Sequence, residues 1–62
     1  MQTFSLFTTD TRYSLPILTY VVADGEQRAI ELAKANLDQS EFHRSVELRD
    51  GSRAIYQRLK VA

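Results

Sequence analysis

The apolar run from Tyr13 to Ala23 constrains the fold of this chain more than any other segment. It is rich in leucine, isoleucine, tyrosine and valine, which favour an extended strand. Alternate side chains of a strand point to opposite faces of the sheet. Both alternating sets are apolar here: Leu15, Ile17 and Val21 in one, and Leu18, Tyr20 and Val22 in the other. Such a strand needs apolar cover on both faces.

The segment Thr3–Thr8 is predicted to be a first strand that pairs with this run through a polar loop, residues 9–12. Phe4 and Leu6 would lie on one face of the first strand and Phe7 on the other. The register set by this loop matches apolar residues across the two strands: Phe4 with Ile17 and Leu6 with Leu15.

Residues 25–38 have the composition and spacing of an amphipathic helix. Asp24 is predicted to cap its first turn, with Gln27 at the capping-box position. The apolar side chains recur at helical spacing: Ala29, Ile30, Leu32, Ala33 and Leu37. We therefore expect this helix to cover one face of a sheet.

Two further strands are predicted, Phe42–Arg49 and Ser52–Leu59, around the dipeptide Asp50-Gly51. Asp-Gly between two strand-like runs favours a type I′ hairpin turn. A two-residue loop of this kind pairs Val46 with Ile55 and places Tyr56 on the face away from the helix. The prediction is one α+β domain over residues 1–62, β-β-α-β-β, with a small antiparallel or mixed sheet and one helix on one face.

One helix covers only one face of such a sheet, so the other face is expected to carry exposed apolar residues: Phe7, Leu18, Tyr20, Val22 and Tyr56. A contiguous patch of this kind usually marks an interaction site. The alternative is a bulge at Pro16, which cannot donate to a ladder; a bulge would exchange the faces beyond it and bury part of this set.

Composition argues against catalytic and metal-dependent functions. The chain has no cysteine and one histidine, so thiolate and multi-histidine metal sites are excluded within one chain. Its two glycines, Gly25 and Gly51, form no phosphate-binding loop. His43 has no nucleophile suitably placed beside it in the sequence and is interpreted as structural or exposed. We expect no catalytic residue, no metal, no cofactor and no enzymatic activity.

A second hypothesis concerns the basic residues of the C-terminal hairpin: Arg44, Arg49, Arg53 and Arg58. They could contact phosphate, which would make the chain a small nucleic-acid or anion-binding domain. The alternative is that these charges protect the hairpin from unwanted strand pairing. We favour protection, because eight basic and eight acidic residues leave the chain with no net charge, and nucleic acid is therefore an unexpected partner.

The short length of the chain favours self-association. At 62 residues, burial of apolar surface contributes roughly 90 kcal/mol. Ordering the chain costs roughly the same, about 90 kcal/mol. Without disulfides, oligomerisation is the remaining common source of stability, so we expect a homodimer, with a further protein as a possible partner. The N-terminal residues lack the pattern of a secretory signal and no apolar run spans a membrane, which predicts a cytoplasmic protein.

The chain also resembles a group of small bacterial proteins. The residues that carry the resemblance are Val22-Ala23-Asp24-Gly25-Glu26 and the later run Phe42–Arg53, with its pattern H-x-x-V-E-[LV]-x-D-G-x-R. In these residues the chain is similar to uncharacterised bacterial proteins of about 60 residues. The resemblance covers most of the chain and implies no activity.

Overall fold

The computed structural model describes residues 1–60, and residues 61–62 of the predicted domain lie outside the described part. The elements are β1 (Gln2–Asp10), β2 (Ile17–Ala23), α1 (Glu26–Asp38), β3 (His43–Asp50) and β4 (Arg53–Leu59). The four strands form one antiparallel sheet in the order β2-β1-β3-β4. The predicted α+β class and the order β-β-α-β-β are confirmed.

The core lies between α1 and one face of the sheet. The two central strands contribute the largest buried apolar side chains: Phe4 and Leu6 from β1, and Val46 and Leu48 from β3. Each such side chain stabilises the fold by about 1.5–3 kcal/mol. The helix contributes its predicted apolar stripe, of which Ala29, Ala33 and Leu37 are buried. Small alanines let the helix approach the sheet closely.

The register between β1 and β2 differs from the prediction. Thr8 lies opposite Ile17 and Phe4 opposite Val21, because β1 continues to Asp10 and β2 begins only at Ile17. The intervening residues form a turn of their own, in which the backbone N–H of Tyr13 donates to the carbonyl oxygen of Asp10 at 3.1 Å. The slip is by four residues, an even number, so every side chain keeps its predicted face.

The alternative of a face-exchanging bulge at Pro16 is wrong. Pro16 lies in the loop before β2 and not within the strand, and β1 pairs with β2 without a register shift from Gln2 to Thr8. No exchange of faces occurs along β2. Leu18, Tyr20 and Val22 therefore point away from the helix, as predicted.

The predicted cap of the helix is wrong. Gly25 occupies the N-cap position, and it makes no side-chain capping bond because it has no side chain. Asp24 lies one residue earlier, exposed in a bend. The helix therefore begins at Glu26, one residue after the predicted start, with that carboxylate in its first turn.

The second hairpin also turns later than predicted. Asp50 pairs with Arg53, so the turn residues are Gly51 and Ser52. Gly51 has φ of 61°, and no other residue described has positive φ. A type I′ turn needs positive φ at both turn residues, whereas type II′ needs it only at the first, where glycine is preferred. The φ values therefore match type II′.

A bulge follows this turn and changes the face of Tyr56. Arg49 pairs with Ala54 but Leu48 pairs with Tyr56, so Ile55 has no direct partner. Because Tyr56 lies opposite buried Leu48, it shares the helix side of the sheet and packs against the core. The predictions that Tyr56 faces away from the helix and that Val46 pairs with Ile55 are wrong. The bulge supplies the one-residue shift that reverses this face.

Gly51→Ala tests the turn. Nothing lies within 4 Å of the position that its Cβ would occupy, so the cost comes from the local backbone conformation and not from a clash with surrounding residues. We expect a loss of about 1–2 kcal/mol in the free energy of unfolding, because a side chain at positive φ approaches the backbone. Urea unfolding measures it, with Ser52→Ala as the control in the same exposed turn. Equal stability of Gly51→Ala and the parent chain would contradict the assigned turn.

Candidate interaction surface

An exposed apolar patch lies on the face of the sheet away from α1. Tyr20 is 65% exposed, Val22 56% and Leu18 48%. Half-buried Phe7 of β1 lies opposite Leu18 on the same face. We call these four residues the open-face patch. Four of the five predicted interface residues are thus brought together, and Tyr56 is not among them.

The open-face patch is confined to the β1–β2 half of the sheet. On the same face, β3 carries Glu47 and Arg49, whose side chains form an ion pair at 3.2 Å. The Arg49 guanidinium also lies 5.7 Å from the centre of the Phe7 ring, where a cation and an aromatic ring attract each other. An apolar area bordered by charged residues is typical of an interface core with a polar rim.

The patch continues onto a free edge of the sheet. β2 is an outer strand, and its seven residues carry no charge, proline or glycine. The other outer strand, β4, contains Arg53 and Arg58 and has a bulge at Ile55. Charges and bulges prevent strands from pairing with other chains. β4 therefore has these protections, whereas β2 lacks them.

A groove runs beside β2 on the helix side of the sheet. It has a volume of about 590 Å³ and lies between the edge strand and the second half of α1. Its lining is largely apolar on the strand side and polar at the helix C-terminus: Leu6, Thr19, Val21, Leu32, Ala35, Asn36, Asp38 and Gln39. The helix thus leaves the outer part of the sheet uncovered on this face as well.

The four arginines proposed as anion contacts do not share one surface. Arg49 is paired with Glu47 on the open face, and Arg53 is paired with Glu26 at the start of the helix. Arg58 lies opposite Val46 and therefore on the helix side. Within residues 1–60, Arg44 and Arg58 carry no ion pair. Paired arginines on different faces make a weak site for a phosphate backbone.

A buried carboxylate at the end of β1 was not predicted as a functional feature. Asp10 is 1% exposed. Its two oxygens accept hydrogen bonds from the Arg12 side chain at 3.0 and 2.8 Å, and one of them also accepts the Arg12 backbone N–H at 2.8 Å. The hydrogen bond from the Arg12 side chain is the largest cause that lowers the pKa of Asp10 from 3.8 to about 2.

Other side chains close this cluster around Asp10. His43 donates from Nδ1 to the carbonyl oxygen of Asn36 at 2.7 Å, and its Nε2 lies 3.8 Å from an Asp10 oxygen. The Arg12 guanidinium lies 4.5 Å from the centre of the Phe42 ring. These contacts tie the loop after β1 to the end of the helix and the start of β3. His43 therefore makes a structural contact, in line with its interpretation from the sequence.

The sequence did contain a signal for this cluster. β1 carries buried residues at four alternate positions: Phe4, Leu6, Thr8 and Asp10. The alternation that buries Phe4 and Leu6 therefore also directs Asp10 inward. Residues 9–12 are polar and predicted a loop, so the alternation of β1 was not extended to Asp10. The cluster contains no nucleophile in contact with His43, and its charged groups bind one another, so we interpret it as a structural clamp.

Other kinds of site receive no support. In residues 1–60 no group of three or more histidine, aspartate or glutamate side chains is placed to hold a metal ion. No helix in this part of the chain has the length and apolar character needed to cross a bilayer. No family model, curated protein or solved structure matches the chain. The resemblance to small bacterial proteins therefore stays a prediction.

The Asp10 cluster predicts how stability depends on pH. The pKa of Asp10 in the fold is about 2, below the ordinary 3.8, so the contribution of its charged form is complete above about pH 4 and is lost as the pH falls towards 2. Asp10→Asn should be less stable at neutral pH and should lose less stability between pH 4 and pH 2. Thermal unfolding at both ends of this range measures it, with Asp38→Asn on the exposed end of the helix as the control. If the parent chain and Asp10→Asn lost the same stability between pH 4 and pH 2, this would contradict the structural clamp.

Proposed function

We propose that this protein is a small self-associating interaction module and not an enzyme. The observation that carries the proposal is the open-face patch: Phe7, Leu18, Tyr20 and Val22 form a contiguous apolar surface that the single helix cannot reach. Water contact with such a surface is unfavourable, and covering it with a second copy removes that cost. The biological role then belongs to the assembly or to a further protein that the assembly binds.

The charges of the open face support association in a defined orientation. Its apolar half lies on β1 and β2, and the Glu47–Arg49 pair lies on β3. A partner that covers the apolar half leaves the ion pair at the rim, where it stays solvated. Burial of unpaired charge, which is the main penalty against such an interface, is therefore avoided.

Among the other functions considered, anion binding has less support. It needs several arginines on one surface, whereas Arg49 and Arg53 are already paired with glutamates and Arg58 lies on the other side of the sheet. An acid–base enzyme needs a reactive group beside His43, and the His43 ring instead contacts Asn36 and Asp10.

Tyr20→Glu tests the proposal. A carboxylate at the centre of the open-face patch would be buried without a partner in the dimer, so we expect the dissociation constant to rise by at least about tenfold. Size-exclusion chromatography with light scattering across a concentration series measures the mass, which should be twice 7.1 kDa for the parent chain.

Gln27→Glu is the matched control, because it adds the same charge to an exposed position in the first turn of the helix. It should leave the dimer intact. Circular dichroism and urea unfolding check that Tyr20→Glu is still folded, and we expect a folded monomer. A parent chain that stays at 7.1 kDa at every concentration would refute self-association.

A further inference from the structure

We propose that two copies of this chain join edge to edge along β2, in antiparallel orientation, to form one continuous eight-stranded sheet. This inference rests on the proposed self-association, but it places the contact at the edge of the sheet beside the open-face patch and not across that patch. Each copy has four strands, with β2 outermost. A two-fold pairing of β2 with β2 gives the free backbone groups along the two joined β2 edges a partner.

The first support is the contrast between the two edges of the sheet. The residues of β2, Ile17 to Ala23, are all uncharged, whereas β4 carries Arg53 and Arg58 and contains a bulge at Ile55. Pairing through β4 would bring arginines of two copies together. Pairing through β2 brings no like charges into contact along the whole ladder.

The charges beyond the strand select the direction of pairing. Asp24 follows β2 directly and is exposed. Parallel pairing would set the two copies of Asp24 side by side, which is repulsive. Antiparallel pairing separates them to opposite ends of a strand that spans seven residues. The antiparallel arrangement is also the one that a two-fold axis perpendicular to the sheet produces.

The groove beside β2 supplies space for the added strand. Thr19 and Val21 line it from the edge strand, and Leu32 and Ala35 line it from the helix. Alternate side chains of the incoming β2 would point into this space of about 590 Å³, and the other set would extend the open-face patch across the junction. The helix-side set of β2 is therefore buried at the junction, whereas the open-face set stays on one continuous uncovered face of the eight-stranded sheet.

The open-face patch by itself supplies less area than a stable dimer requires. A stable interface buries about 800 Å² per partner, which is about a fifth of the chain surface of 4315 Å². Four partly exposed side chains supply a few hundred Å², on the scale of roughly 150–250 Å² for a whole aromatic side chain. In the edge dimer the buried area would come from the edge backbone and from side chains that enter the groove.

Two charge variants separate the edge geometry from packing of open faces. Thr19 is exposed on the helix side of β2, away from the open face, and Ser5 lies on the open face of β1 between Tyr20 and Arg49. In the edge dimer, Thr19→Lys places two like charges at the junction, and we expect at least a tenfold rise in the dissociation constant. Ser5→Glu lies one strand away from the junction and should leave it unchanged.

Single cysteines give a second measurement that does not depend on loss of binding. The natural chain has no cysteine, so each variant carries one thiol. Thr19→Cys should be linked into covalent dimers by a short bismaleimide, and Ser5→Cys should be linked much less, because two copies of β2 separate the Ser5 positions. Each charge variant is first checked for native stability by urea unfolding.

The outcomes distinguish the two proposals. Dissociation by Thr19→Lys together with cross-linking at Thr19→Cys supports the edge dimer. The opposite result would be dissociation by Ser5→Glu, an intact dimer with Thr19→Lys, and cross-linking at Ser5→Cys. It would overturn the edge geometry but retain self-association through the open face. A parent chain that is monomeric at every concentration overturns both proposals.

Discussion

The alternation of side chains along β1 is the constraint on which the rest of the structure depends. β1 lies between β2 and β3, and its residues Phe4 and Leu6 are 0% and 1% exposed beneath the helix. This strand therefore fixes which residues of both neighbours point inward. Because residues 1–60 form a single helix, the same alternation commits Phe7 and its neighbours on β2 to a face that the helix does not cover.

The element order and most faces could be predicted because they depend on periodicity alone. The predicted register between β1 and β2 is wrong by four residues, but an even slip keeps Leu18, Tyr20 and Val22 on their predicted face. The helical stripe is equally robust, since Ala29 and Ala33 stay on one side whichever residue caps the helix. The candidate surface was predictable to the extent that it depends on these two periods.

The rest depends on turn geometry, which a single sequence specifies poorly. Asp-Gly indicated a hairpin, but the turn uses Gly51 and Ser52, and a bulge then shifts β4 by one residue. That odd shift moved Tyr56 from the predicted interface to the helix side of the sheet, where it packs against the core. The first loop is also longer than predicted. The hydrogen bonds between Asp10 and Arg12 stabilise a turn where further strand pairing was expected.

In the proposed dimer, one strand would link stability to association. β2 buries Ala23 in the core, packs Val21 against it and exposes Tyr20 and Val22. In a domain whose burial and ordering terms nearly cancel, any binding that requires the folded state stabilises that state by mass action. A second copy that covers β2 would therefore oppose unfolding of the strand it binds. Apolar residues on an unprotected edge strand are a liability in a monomer. In the proposed edge dimer, the same strand would support both the fold and its assembly.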